Sequence, residues 1–244
     1  MIDEQSVFIF NDQDELASAF LSLLKNENKK AESKMRQFNL ALSGGETARN
    51  LFSALARLHT APDLLTNCNI FWADERCVPY NSPRSNFGNF MNTLGSKLNQ
   101  DHVKFFPVPF TANPLKAADY YNLLLKSMLP DPSERRSFDL LVLGADTDGH
   151  TASIFPGKES LFSSENAAEL VKSPSDGEFR VTITGELINF SALIVFLITG
   201  EEKSGIAADL IRRSPQAEKY PAFHVSPRGG KLIWFLDKAA ASKI

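Results

Sequence analysis

Two hydrophobic periods take turns along this chain. Short continuous apolar runs alternate with longer segments in which apolar residues recur every three or four positions. The runs Ser6–Phe10, Phe38–Leu42, Asn69–Ala73, Lys104–Val108 and Phe138–Leu143 read as strands. So do Phe179–Thr184, Ala192–Thr199 and Lys231–Leu236. Between the first two, Asp12–Lys30 carries Leu16, Phe20, Leu23 and Leu24 at helical spacing, which is the stripe of an amphipathic helix. Helical patterns also cover about Thr47 to Leu58, Leu115–Leu129 and Glu201–Arg213. Continuous apolar strands are buried on both faces. Their alternation with helices predicts an α/β fold, a mostly parallel sheet with helices on both sides.

Two stretches interrupt the alternation. Asp74 to about Arg84 is rich in Pro, Asn and Ser and reads as a loop. The polar region Ser163–Glu178 reads as a loop with room for a small excursion outside the main sheet. With no repeat, low-complexity tract or long linker, residues 1–244 are expected to form one domain, long enough to bury a sizeable core.

Composition narrows the class. Hydrophobic residues are 43% and charged residues 23%, as in soluble globular proteins. A net charge of −3 argues against general binding to nucleic acid or to an anionic membrane, so basic residues that hold a small anion must be local. The early acids Asp3 and Glu4 and the lack of a long apolar segment suggest neither signal peptide nor membrane span. The expected location is cytoplasmic. Cys68 and Cys77 lack metal-ligand spacing and fit a reducing compartment as plain core or loop residues.

The chemistry concentrates after the run Phe138–Leu143, in the stretch from Gly144 to Gly157. Polar groups just past the C-terminal end of a parallel strand lie where open α/β sheets hold ligands. Asp148 and His150 flank Gly149 there, a carboxylate and an imidazole suited to acid/base work near neutral pH. They do not make a metal site. An EF-hand aligned on Gly149 puts Phe155 where the bidentate glutamate belongs, and one histidine with Asp146 and Asp148 is too little for zinc. His59, His102 and His224 have no comparable setting and read as surface or structural residues.

Other segments bear two readings each. Ser43-Gly44-Gly45-Glu46-Thr47 joins a strand to a helix. Its glycines and free N–H groups would suit a phosphate, or it is an ordinary turn. It is neither a P-loop nor a dinucleotide loop. Ala41-Leu42-Ser43-Gly44-Gly45 approaches a nucleophile elbow, but Ala41 replaces the first glycine and only one βα unit precedes it. Asp74-Glu75-Arg76 is either an exposed charged loop or a strand-end site in which Arg76 clamps an anion and Asp74 accepts a hydroxyl. Arg180 and Lys203 are either solvated charges or further phosphate ligands beside Ser43.

Taken together, these residues resemble the 6-phosphogluconolactonase family, within the wider glucosamine-6-phosphate isomerase/deaminase group. The resemblance is carried by Leu42–Thr47, by Trp72–Pro79 continuing to Ser85-Asn86, and by Asp148–Gly157. Arg180-Val181-Thr182, Gly200–Lys203 and a tail block from Pro221 to Ala240 extend it. It implies a Rossmann-like sheet, a cytosolic pentose-phosphate enzyme acting on a sugar-phosphate lactone, and no cofactor and no metal. It assigns His150, Asp148 and Asp74 to catalysis and Ser43, Gly44, Gly45, Thr47, Arg76, Arg180 and Lys203 to the substrate phosphate. Isomerase or deaminase chemistry, or non-catalytic binding, are the alternatives on that scaffold. Two positions depart from the family pattern. Ala48 stands where proline is usual, and Asp146 stands where a glycine is usual. Aspartate tolerates left-handed turns, and the Asp146 charge has two readings: it faces the site, where it would repel an anionic substrate, or it faces solvent and does almost nothing.

Overall fold

A computed structural model describes residues 6–58, 64–129 and 137–244; Asp3, Glu4 and His59 lie outside them. The strands are β1 (Ser6–Phe10), β2 (Phe38–Leu42), β3 (Cys68–Trp72), β4 (Asp74–Arg76), β5 (Val103–Phe106), β6 (Leu140–Leu143), β7 (Ala168–Lys172), β8 (Phe179–Ile183), β9 (Leu193–Ile198) and β10 (Lys231–Asp237). The helices are α1 (Gln13–Glu32), α2 (Gly45–Leu58), α3 (Asn86–Thr93), α4 (Pro114–Met128), α5 (Gly185–Asn189) and α6 (Ser204–Arg212).

Seven strands form one parallel sheet in the order β1-β10-β9-β6-β2-β3-β5. Successive side chains of a strand point to opposite faces, and the core divides accordingly. Leu40 and Leu42 of β2 join the layer made with α1, α2 and α3, where Phe20, Leu51 and Phe90 pack. Ala41 of β2 joins the opposite layer with Tyr121 and Leu125 of α4 and Ala207 of α6. Leu140 and Val142 of β6 face the first layer, Leu141 and Leu143 the second. Helix α1 starts where the sequence says it should. Asp12 caps it by accepting from the Asp14 and Glu15 N–H groups, with acids in the first turn and Lys29 and Lys30 in the last.

The order of winding decides where a ligand fits. From β2 the chain moves outward through β3 to β5; it then returns to the other side of β2 as β6 and moves out through β9 to β10. The two directions part between β2 and β6, and the crevice at the C-terminal ends of such a pair is the usual ligand position of an open α/β sheet. The Ser43 loop leaves β2 there, and the Gly144 stretch leaves β6 beside it.

Part of the sequence reading needs correction. Phe179–Ile183 is not in the parallel sheet. It is the middle strand of a second, antiparallel sheet ordered β4-β8-β7. The Asp74–Arg84 loop opens with β4, and the Ser163–Glu178 loop contains β7. The handover occurs at Ala73, whose N–H donates to Leu42 O of the main sheet while its carbonyl accepts from Ile183 N of the small one. Beyond the end of β5, the Tyr121 hydroxyl takes the place of a strand by bonding both Trp72 N and Trp72 O at 2.8 Å. Without it, that buried peptide would be left unpaired.

Candidate active site

The cleft at the switch point has a volume of about 540 Å³. Its floor is the loop between β2 and α2. Ser43, Gly44, Gly45 and Thr47 all line it. A Cβ on Gly44 would sit 1.9 Å from Asn86 Oδ1, so any side chain there would push the buried Asn86 out of place. Thr47 Oγ1 lies 3.1 Å from Thr199 Oγ1, tying the start of α2 to the end of β9. The Ser43 hydroxyl is buried and has no hydrogen-bond partner, so it lacks the adjacent base that would activate a serine nucleophile.

Beside the floor, the chain after β6 makes a tight turn that carries the acid/base pair. His150 Nδ1 lies 2.6 Å from Asp148 Oδ1, and the His150 N–H donates to the same oxygen at 3.1 Å. The bond to the His150 ring is the main cause holding the Asp148 carboxyl below its ordinary value, with burial opposing it. A carboxylate only accepts hydrogen bonds. Nδ1 therefore carries the proton and Nε2 keeps the free lone pair. Gly149 bends the turn at φ +79°, and a Cβ there would strike the Tyr220 ring at 2.3 Å. The Phe155 ring covers the imidazole at a centroid distance of 4.9 Å.

The small sheet supplies the opposite wall. Asp74 is buried at the head of β4, where Oδ2 accepts from Ser153 Oγ at 2.7 Å and Oδ1 from Asn86 Nδ2 at 3.2 Å. Glu75 points away from the cleft lining and ties β4 to the first turn of α3. Its carboxylate accepts from the Arg76, Asn86 and Phe87 N–H groups and from Ser85 Oγ. Burial pushes this carboxyl up, against the downward pull of those four bonds. Arg76 and Arg180 are direct cross-strand partners on β4 and β8, and both line the cleft. Two like charges placed opposite each other repel and call for an anion between them.

Lys203, in the turn that leads from β9 into α6, completes the wall; its Nζ lies 3.9 Å from Asp146 Oδ1. Of the two readings of Asp146, the structure favours the one that faces the site. The side chain is half exposed, but it lines the cleft, and its backbone is not left-handed, so aspartate fits without strain. Asn86, Phe155, Thr199 and Glu202 take part in the site or line it without having been singled out as site residues. Asn86 had one visible signal in the sequence, its place in the Ser85-Asn86 pair that carries part of the resemblance; the structure shows that Ser85 caps α3. Cys68 and Cys77 are free thiols, and burial, then the Glu75 charge, pushes Cys77 up to about 11. Among the described residues, no cluster of three His, Cys, Asp or Glu side chains is arranged to hold a metal ion. Nor is any helix there long and apolar enough to cross a membrane.

Fold and site define a doubly wound α/β protein with an imidazole–carboxylate pair and three cationic side chains around one cleft at the switch point. The chain belongs to the family described as glucosamine-6-phosphate isomerases/6-phosphogluconolactonase, whose model matches residues 11–234. It is 32% identical over 203 residues to the 6-phosphogluconolactonase of Haemophilus influenzae, covering 83% of this chain and 85% of that one. It is 32% identical over 250 residues to the 6-phosphogluconolactonase of Rattus norvegicus, covering 96% and 92%. The solved structure of 6-phosphogluconolactonase from Trypanosoma brucei aligns with a TM-score of 0.84 at 26% identity, over 99% of each chain.

Proposed function

We propose that this protein hydrolyses 6-phospho-D-glucono-1,5-lactone to 6-phospho-D-gluconate, as a step of the pentose phosphate pathway, with His150 as general base. The observation that carries the reading is the 2.6 Å His150–Asp148 bond in a cleft that also presents Arg76, Arg180 and Lys203. The phosphate is gripped by those three side chains and by the N–H groups of the Ser43–Thr47 loop at the start of α2. That grip, remote from the reacting carbon, positions the lactone carbonyl. His150 Nε2 takes a proton from water as its oxygen attacks C1. The tetrahedral adduct then collapses, the C1–ring oxygen bond breaks, and the imidazolium returns the proton to the departing oxygen. Asp148 stays ionised, holds the ring in the required tautomer and stabilises the imidazolium. Asp74, with each oxygen accepting one protein hydrogen bond, retains lone pairs to accept from a sugar hydroxyl.

One observation weighs against a deaminase on the same scaffold. In the deaminase pattern a glutamate stands five residues after the histidine. Here that place is Phe155, whose ring lies on the imidazole. A second carboxylate is therefore missing where ring opening and proton shuttling would need it. A non-catalytic sugar-phosphate-binding protein would have no use for the Asp148–His150 pair.

The test is turnover of the lactone above its spontaneous hydrolysis. Wild-type protein should show it, and His150→Ala should lower it about 10²- to 10⁴-fold while keeping the native circular-dichroism spectrum. A folded His150→Ala protein with wild-type turnover would remove the histidine mechanism. No turnover by wild type would remove the lactonase reading.

A further inference from the structure

Each of two proposed phosphate ligands already has a carboxylate beside it. Arg180 Nη2 donates to Asp176 Oδ2 at 2.8 Å, and Lys203 Nζ faces Asp146 Oδ1 at 3.9 Å. In both pairs the cation is the more buried partner. The Arg180 and Lys203 side chains are 10% and 18% exposed, those of Asp176 and Asp146 41% and 53%. Asp176 sits at the tip of the hairpin that joins β7 to β8, next to Ser175, which lines the cleft. It also feels Arg76. Desolvation, the largest single influence, raises its carboxyl, but hydrogen bonds from Ser173 and Arg180 and the charges of Arg180 and Arg76 together hold it below the ordinary value. Asp176 thus pairs with Arg180, the arginine opposite Arg76 in the β4–β8 register, and its single charge offsets part of theirs.

The cleft as a whole has a surplus of negative charge. Glu46, Asp74 and Glu202 line it together with Asp146 and Asp148, against Arg76, Arg180 and Lys203. That balance is poor for simple capture of an anion. It suits exchange of one anion for another.

We infer that Asp146 and Asp176 are resident counter-ions of the anion site and determine its selectivity, a role that rests on the phosphate-binding reading above. An incoming group must displace a carboxylate from Lys203 and another from Arg180. A phosphate monoester carries about −1.5 to −2 charges at neutral pH and three acceptor oxygens, so it outcompetes a carboxylate. A singly charged group gains nothing by the exchange. The same competition weakens retention of the product, which leaves with its phosphate and a newly formed carboxylate.

Asparagine at each position removes the charge and keeps the local turn. Asp146 Oδ1 accepts from Thr147 N at 2.9 Å, and Asp176 Oδ1 accepts from Glu178 N at 2.9 Å; an amide oxygen can do both. The experiment measures binding of inorganic phosphate and of 6-phosphogluconate by calorimetry, and KM and kcat with the lactone, for wild type, Asp146→Asn, Asp176→Asn and the double variant. Arg180→Ala with Lys203→Ala is the control. Each single asparagine variant should tighten both ligands by about 1.5- to 5-fold, the range of a part-exposed ion pair. The double variant should tighten them further, with KM falling and product inhibition rising. Unchanged or weaker binding in both single variants, with binding abolished in the control, overturns the counter-ion role and leaves the phosphate site standing. Wild-type phosphate binding in the control overturns the phosphate site itself.

Discussion

At the scale of the residue, the pair at the centre of the site was legible because both members lie within three positions of one another in the sequence. Local chain geometry alone can bring Asp148 to His150, and the backbone N–H of His150 seals the arrangement. Its electrostatics lead to a prediction. Asp148→Asn removes the charge that stabilises the imidazolium and lets an amide donor select the wrong tautomer. We expect kcat to fall by about 10²-fold or more with little change in KM, as measured by steady-state kinetics on the lactone. Stability moves in a defined direction as well. The Asp148 carboxyl is held below its ordinary value in the folded protein. Its contribution is therefore complete above the ordinary carboxyl range and is lost as pH falls through the lowered folded value. Acid unfolding followed by circular dichroism should show that part of the loss missing in Asp148→Asn. Asp146 gave no such local clue. Its orientation depends on Lys203, far along the chain, so the sequence left it open between site and solvent.

At the scale of the element, the strands of the parallel sheet and helices α1, α2, α4 and α6 followed from hydrophobic period, while α3, α5 and the pairing of the small sheet did not. β4 is a three-residue strand, Asp74–Arg76, with a charged side chain at every position. No apolar alternation marks it. It is a strand because β8 pairs with it and because Glu75 is gripped from the other side by α3. This gives Glu75 a measurable role. A glutamine there must turn an NH₂ group toward at least one of the N–H donors that now meet a carboxylate oxygen. Glu75→Gln should cost about 1–3 kcal/mol near neutral pH, read as a shift of the urea midpoint at unchanged slope. The pH dependence has the opposite sign to that of Asp148. With its carboxyl raised by burial, folded Glu75 holds its proton more tightly than the unfolded chain does. Wild-type stability therefore declines as pH rises from the ordinary carboxyl value through the raised one, and Glu75→Gln should lack that decline.

At the scale of the whole molecule, the cleft belongs to neither sheet alone. The Ser43 loop, His150 and Lys203 come from segments that follow strands of the parallel sheet, whereas Arg76 and Arg180 come from the small one. A phosphorylated ligand would bridge the two and oppose their separation. Saturation with 6-phosphogluconate at about 100 times its dissociation constant should stabilise the fold by about 2.7 kcal/mol. For a chain of this length that is a rise in Tm of roughly 5–10 °C, measured by differential scanning fluorimetry. Arg180→Ala should reduce the rise, and neutral gluconolactone should not produce it.

The amino-acid sequence by itself determined the parallel α/β sheet, the covering helices α1, α2, α4 and α6, and the acid/base turn after β6. These depend on hydrophobic period and on neighbours close along the chain. Its glycine loop and isolated basic residues each carried two readings, because a lone Arg180 or Lys203 looks the same whether it faces solvent or a ligand. Tertiary structure decided which of those charges meet. Winding order brings the end of β2 beside the end of β6, the antiparallel register sets Arg76 against Arg180, and the hairpin tip lays Asp176 on Arg180. Apart from Asp176 and Arg180, which are four positions apart, such pairings form between residues tens of positions apart. Coulomb energy depends on distance through space, which no local pattern in the sequence encodes.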